Sequence, residues 1–504
     1  MKFTNRPIVE TASGPIAGMV IEGVCTWRGI PYGTAARWEP PRPATWNGVW
    51  DGTEYGPVAP QTTYGWGDRV VGDECCLNLD VVRPYSDAQL PVVVYFHGGG
   101  FFSGASHTAV LRGFNFSKEI DCVYVGVNFR LGTLGYVDLT SLGWEGTEHW
   151  EPNPALSDQI AALRWVHRHI AAFGGDPARV TLMGESAGGA AIAALMSSPA
   201  SHGLYDRVVM QSAPVMGVHT AVQARVWARK LVQYSGLVPR TATAKELKAV
   251  PVADVVRAGQ QMLWRGGGLK ELNPCFGTSI GGELMPRHPL QQFKEGRQAP
   301  TPMLIGTNND ELSVAQLLYF SKGSRADAAR RMLQAHDPVG FDEISDAYGD
   351  LGKRSNFAHL LADAVFWAQS VRLAELHSQH DHDVWMYRYD YAPAMLRRLG
   401  IGAMHSMELS ALFGDTGASK AKLLLGQEQS VLTEQMQEAW GRFIWGDDPG
   451  WERYELSNRA TRIMERESFT VHDPRADVRR AWQHFRMDGW SGDESSVAMP
   501  RPGR

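Results

Sequence analysis

Val180-Thr181-Leu182-Met183-Gly184-Glu185-Ser186-Ala187-Gly188-Gly189 passes from a short apolar run into a serine flanked by glycines two residues away on either side. The helix-forming run Ala190–Met196 follows directly. A buried strand, a sharp turn and a helix are the expected order. An alcohol is a poor nucleophile, so its oxygen has to be exposed, oriented and set beside a base. A strand-to-helix turn gives the exposure but crowds the chain, and Gly184 and Gly188 leave it room. The helix beginning there aims amides and its positive dipole end at developing negative charge. A tight turn carrying an idle serine is the alternative, and the strand-to-helix placement favours the nucleophile.

Working outward, Pro91–Phe96 and Cys122–Val127 are continuous β-branched or aromatic runs of strand length, and Arg207–Gln211, Met303–Ile305 and Val384–Tyr389 are further strand candidates. Continuous apolar runs of this length indicate strands buried on both faces. Leu156, Ile160, Leu163, Ile170 and Phe173 recur at helical spacing, and Gly174-Gly175-Asp176-Pro177 ends that helix. Strands separated by helices predict an α/β fold, with a central, mostly parallel, twisted sheet covered by helices on both faces. Two charged helical stretches, near 217–272 and 312–383, are expected as excursions forming a cap or wall beside the sheet. No repeat or Pro/Gly/Ser-rich linker divides the chain, so residues 1–504 are expected to form one domain. The tail from Ser491 is expected to be disordered.

Immediately after Pro91–Phe96 comes His97-Gly98-Gly99-Gly100-Phe101. Three successive glycines let backbone N–H groups approach a substrate with no side chain between. Donors preorganised around an oxyanion contribute roughly 2.7–4 kcal/mol each. Such a loop after a strand, followed by the glycine-flanked serine, points to an oxyanion hole completed by the N–H of Ala187. His97 is expected to be a structural neighbour of the loop. The remaining partners of a triad should follow in the order serine, acid, histidine. Asp310 and Glu311, just past Met303–Ile305, are equal candidates on this basis, and His405, in the loop after Val384–Tyr389, has an edge among sixteen histidines.

The bulk properties narrow the classes. With 504 residues, 44% hydrophobic and 20% charged, the composition is that of a globular protein and excludes collagen-like, disordered and disulfide-scaffold chains. A formal charge of -5 offers no basic field for nucleic acid. The N-terminal residues lack the pattern of a secretory signal, and no run of about 18 apolar residues is present. The five cysteines follow neither a zinc spacing nor a disulfide framework. A cytoplasmic setting with no membrane partner is the expectation. His377, His380 and His382, with Asp381 and Asp383, fit no standard metal spacing and are expected to be solvated at the surface. Oligomeric state is not legible.

Many separated segments together resemble the type-B carboxylesterases, the family of bacterial para-nitrobenzyl esterases and animal cholinesterases. They include Trp27-Arg28-Gly29-Ile30-Pro31-Tyr32, Cys76-Leu77-Asn78-Leu79, the glycine loop, Val127-Asn128-Phe129-Arg130-Leu131-Gly132, Phe173-Gly174-Gly175-Asp176-Pro177, the serine motif, Gln211-Ser212-Ala213, Asn308-Asn309-Asp310-Glu311 and Gly402-Ala403-Met404-His405. The resemblance implies an α/β-hydrolase fold and an ester hydrolase without cofactor or metal. It implies Ser186 as nucleophile, His405 as base and Glu311 as acid, with Gly99, Gly100 and Ala187 as the oxyanion amides. It places Ser212 behind the triad and Glu185 beside the nucleophile, and it implies ion pairs Arg37–Glu74 and Arg130–Asp158. Phe101, Phe102, Glu185 and Trp367 are implied as pocket residues, with a place in the core the equal alternative for Trp367, and Tyr64 and Trp66 as residues of its entrance.

The chain also departs from the family pattern. Leu312 follows the acid where the family has glycine, Cys75 replaces an acidic residue, and Ala59 stands where the family has the disulfide partner of Cys76. The substrate is expected to be a small-molecule ester. A carbamate or activated-amide hydrolase with the same triad is the alternative, and a non-catalytic binding protein on this fold is a third reading.

Overall fold

The computed structural model describes residues 6–63, 67–266, 272–314, 322–414 and 428–489. Tyr64, Trp66 and the tail from Ser491 lie outside these residues, as do 267–271 and 315–321 of the two excursions. The main sheet contains β1 (Met19–Ile21), β2 (Val24–Pro31), β3 (Asn78–Pro84), β4 (Leu90–Phe96), β5 (Val123–Val127) and β6 (Gly175–Glu185). It continues with β7 (Arg207–Gln211), β8 (Met303–Asn308), β9 (Val384–Tyr389), β10 (Ala460–Met464) and β11 (Phe469–His472). The spatial order is β11-β10-β9-β8-β7-β6-β4-β5-β3-β2-β1. Every pairing from β5 across to β10 is parallel. The outer strands run antiparallel.

The unbroken apolar runs have a direct cause. Val92, Val94 and Phe96 face one apolar layer while Val93 and Tyr95 face the other, because successive side chains alternate across a strand. With helices on both sides, neither half of the alternation can be polar. The helix Pro154–His169 starts on a proline and passes into a short 3₁₀ turn, Ile170–Phe173. Gly174, with φ at +80°, then turns the chain toward β6. Arg130 grips Asp158 of this helix at 2.6 and 2.8 Å, and Arg37 grips Glu74 at the same distances, as the resemblance implied.

Strand order positions the site. The chain leaves β4 to build β5 on one side, while the chain leaving β6, on the other side of β4, goes on to β7. Connections that part in opposite directions open a crevice beyond the carboxyl ends of the strands. Phe96 and Gly184 are paired across β4 and β6 at this point. The glycine loop and the serine turn therefore emerge side by side. Helices Ala221–Tyr234 and Val252–Arg265 occupy the first excursion, and Arg354–Ala362 and Ala368–Ser378 lie in the second. A π-helical turn, Asp363–Trp367, joins the last two. No helix among the described residues is long and apolar enough to cross a membrane.

Candidate active site

Ser186 sits between β6 and the helix Ala187–Ser197 with φ 56° and ψ −123°, a strained conformation for a residue with a side chain. Its N–H donates to the Gln211 carbonyl at 2.9 Å, which ties the turn to β7. A Cβ on Gly188 would lie 1.9 Å from the Phe96 carbonyl oxygen, and one on Gly184 would lie 2.7 Å from the Gly188 carbonyl carbon. Both obstacles are main chain and cannot rotate away. Gly188→Ala is therefore expected to cost at least about 3 kcal/mol of stability and about 100-fold in kcat/KM through displacement of Ser186. Chemical denaturation and ester kinetics measure the two effects.

The glycine loop folds against this turn. Gly99, Gly100 and Phe101 all have positive φ, at 114°, 62° and 68°. A Cβ on Gly98 would lie 2.6 Å from Glu185 Oε2, and one on Gly99 would lie 2.0 Å from the Ser103 carbonyl oxygen. The loop is anchored from outside by Gln61, whose side chain donates to the Gly104 carbonyl and accepts from the Gly104 N–H, both at 2.9 Å. Behind it, His97 stacks on Phe129 at 4.7 Å and lies 2.8 Å from the Gly98 carbonyl through Nδ1. Burial pushes the His97 pKa down to about 4, in keeping with a structural part.

The structure separates the two candidate acids. Glu311, buried at the end of β8, places Oε2 2.5 Å from His405 Nδ1. Its Oε1 accepts from Ser212 Oγ at 2.5 Å and from the Asn308 N–H at 2.8 Å. Asp310 instead accepts from the Ala403 N–H at 3.0 Å and so holds the loop that carries His405. Leu312, where the family has glycine, is half-buried against the core, and the Ser313 N–H returns to the Asp310 carbonyl at 2.9 Å.

On its other side, His405 Nε2 lies 3.2 Å from Glu185 Oε1, and the imidazole stacks on Phe366 with ring centres 4.5 Å apart. Among the described residues no hydrogen bond joins His405 to the Ser186 hydroxyl. Substrate-free sites often hold this bond long. Burial lowers the pKa of His405, but Glu185 and then Glu311 outweigh it and push the value up to about 10. Glu185 itself is raised by burial against the opposing pull of His405. A third carboxyl, Glu408, is fully buried and accepts from Asn308 Nδ2 at 2.6 Å. Burial first, and then Glu185 and Glu311, raise it to about 8.

Ser186 opens onto a cavity of about 250 Å³, near the lower end of the range of small-molecule sites. Gly100, Phe101, Phe102 and Ala187 line its floor. Met216 and Leu263 come from the first excursion, and Val365, Phe366 and Gln369 from the second. Gly99 stands next to it without lining it, and so does Glu185, which corrects the pocket expectation for that carboxylate. Trp367 does not line it either and packs in the core, the second of its two expected places. The π-helical turn inserts an extra residue, so Phe366 faces the cavity and Trp367 turns away to pack under the Arg475 guanidinium at 4.6 Å. Sequence reasoning missed Phe366 and Gln369, because a π turn leaves no reliable mark in an apolar run, and Leu263 and Met216, which only the tertiary fold brings beside Ser186.

The expectation for the histidine cluster also needs correcting. His377 is buried within a helix, with Nε2 2.8 Å from the Thr301 carbonyl and Nδ1 3.0 Å from Gln298 Nε2. Burial pushes its pKa down to about 4. Among the described residues no group of three or more His, Cys, Asp or Glu side chains is placed to hold a metal ion.

Residues 5–468 match the model of the carboxylesterase family. The para-nitrobenzyl esterase of Bacillus subtilis (strain 168) is 31% identical over 94% of this chain and 98% of its own length. The phenmedipham hydrolase of Pseudarthrobacter oxydans is 29% identical over 88% and 91%. A solved PNB esterase superposes with a TM-score of 0.83 at 31% identity, covering 95% of this chain and all of the other. A Geobacillus stearothermophilus carboxylesterase gives 0.83 at 28% identity, covering 94% and 100%. Sheet order, serine turn and overall likeness agree: the chain has the α/β-hydrolase fold and belongs to the carboxylesterase family, as a hydrolase of carboxylic esters.

Proposed function

We propose that Ser186, His405 and Glu311 hydrolyse small-molecule esters by two-step acyl transfer. The observation that carries this reading is the strained Ser186, open to the cavity, with the 2.5 Å Glu311–His405 pair in the neighbouring loop. Acylation requires His405 Nε2 to exchange its contact with Glu185 for the Ser186 hydroxyl. Nε2 then takes the hydroxyl proton as Oγ attacks the carbonyl carbon, and Glu311 stabilises the imidazolium through Nδ1–H. The N–H groups of Gly99, Gly100 and Ala187 receive the oxyanion. His405 returns the proton to the leaving alcohol, and a water activated by the same nitrogen releases the acid. The apolar lining of Phe101, Phe102, Met216, Leu263 and Phe366 supports esters with apolar acyl or alcohol groups. A fluorophosphonate should label Ser186 stoichiometrically, and an active enzyme left unlabelled would refute the assignment. Matched ester and anilide substrates test the amide alternative.

Glu185 is proposed to hold the base in its resting state. Its carboxylate favours the proton on His405, whereas catalysis needs that imidazole neutral. Removing the charge lowers the His405 pKa, so the base is free at lower pH. For Glu185→Gln the acid limb of the kcat/KM profile is expected to move down by about 1–2 pH units. An unmoved limb would mean that Glu185 has no such influence.

We further propose that residues 1–504 act as one domain whose excursions near 217–272 and 312–383 wall the pocket. A reducing, cytoplasmic setting is supported by the five cysteines, all free, and by Ala59 in place of a partner for Cys76.

A further inference from the structure

The second excursion is fastened from the far end of the chain. Asp363 opens the π-helical turn and is buried, a costly position for a carboxylate unless donors surround it. Arg475 supplies a fork, Nη1 to Oδ1 at 2.9 Å and Nη2 to Oδ2 at 2.5 Å. The Tyr348 hydroxyl also donates to Oδ2 and in turn accepts from Trp482 Nε1 at 2.9 Å. The same guanidinium covers the ring of Trp367, the last residue of the turn. One side chain thus grips both ends of a five-residue turn. Between the grips, Ala364, Val365 and Phe366 face the cavity, and Phe366 carries the stacked face of His405. Gln369 completes the wall, donating to the Ala364 carbonyl at 2.6 Å and accepting from the Met216 N–H at 2.7 Å.

We propose that Arg475, which touches neither substrate nor triad, is a positioning residue that sets the shape of the substrate pocket by clamping Asp363 and Trp367 against the back of the wall. An arginine suits the task because a planar fork can satisfy a carboxylate edge-on while its face covers an indole, which an ammonium cannot do. The inference rests on the esterase reading above, and the test separates the two.

The test compares the wild-type enzyme with Asp363→Asn/Arg475→Gln, which removes both charges together, with Arg475→Lys, and with Tyr348→Phe, which deletes one donor and leaves the ion pair in place. Active sites are titrated with a fluorophosphonate, and kcat and KM are measured for para-nitrophenyl acetate and octanoate. For the double variant the octanoate-to-acetate ratio of kcat/KM should fall about fivefold or more. The loss should lie chiefly in the octanoate KM, with kcat on acetate per titrated site within about threefold. Arg475→Lys should recover part of the ratio, and Tyr348→Phe should move it the same way by less. A ratio within about twofold of wild type in both the double variant and Tyr348→Phe, whatever happens to thermal stability, would overturn the proposal. If the wild-type enzyme is not titrated at all, the serine-hydrolase reading falls, and the inference with it.

Discussion

Ser186→Ala is expected to lower kcat/KM on para-nitrophenyl acetate by about 10⁵- to 10⁶-fold while leaving the fold in place. The size follows from the role assigned to the hydroxyl: without it the acyl-enzyme cannot form, and only cavity binding and the oxyanion amides remain. Stability should hardly change. Alanine keeps the Cβ and therefore the strain of φ 56°, and the Ser186 N–H still reaches the Gln211 carbonyl. Thermal unfolding should lie within about 2 °C of wild type. Turnover by the purified variant above about one thousandth of wild type would exclude Ser186 as nucleophile.

Glu311→Gln should cost about 10⁴-fold in kcat although it changes a single atom. The Asn308 N–H and Ser212 Oγ both donate to Oε1, so the amide oxygen of glutamine must take that position. Its NH₂ then faces His405 Nδ1, which has to be the unprotonated nitrogen to receive it. The proton moves to Nε2, the atom that must accept from Ser186. The substitution also removes one of the charges holding the His405 pKa near 10, so the imidazole becomes more readily neutral and yet presents the wrong nitrogen. NMR of the imidazole protons in the variant reports the tautomer, and steady-state kinetics the rate. A loss below tenfold would argue against Glu311 as the orienting acid.

The central parallel strands were legible because burial on both faces turns them into unbroken apolar runs. The outer strands were not. Asn78–Pro84 carries the buried Asn78, Asp80 and Arg83, each satisfied by a partner distant in the chain, and so reads as polar chain. Ser186 was legible from its glycines, whose need for space is local. Asp310 and Glu311 could not be separated from the residues alone, since the choice depends on a loop about ninety residues later; the family resemblance favoured Glu311. The pocket wall was least legible, for a side-chain direction inside a helix depends on counting residues per turn, and one π turn spoils the count.

The division of labour in this molecule has an engineering consequence. On the reading proposed above, the reacting groups leave the ends of the sheet strands, whereas much of the wall that would judge a substrate's size comes from two inserted segments. Appetite can therefore drift while the chemistry is inherited unchanged. Libraries confined to Met216, Leu263 and Val365 should yield altered selectivity far more often than dead protein, and grafts from distant relatives should be tolerated at those segments sooner than at the serine turn.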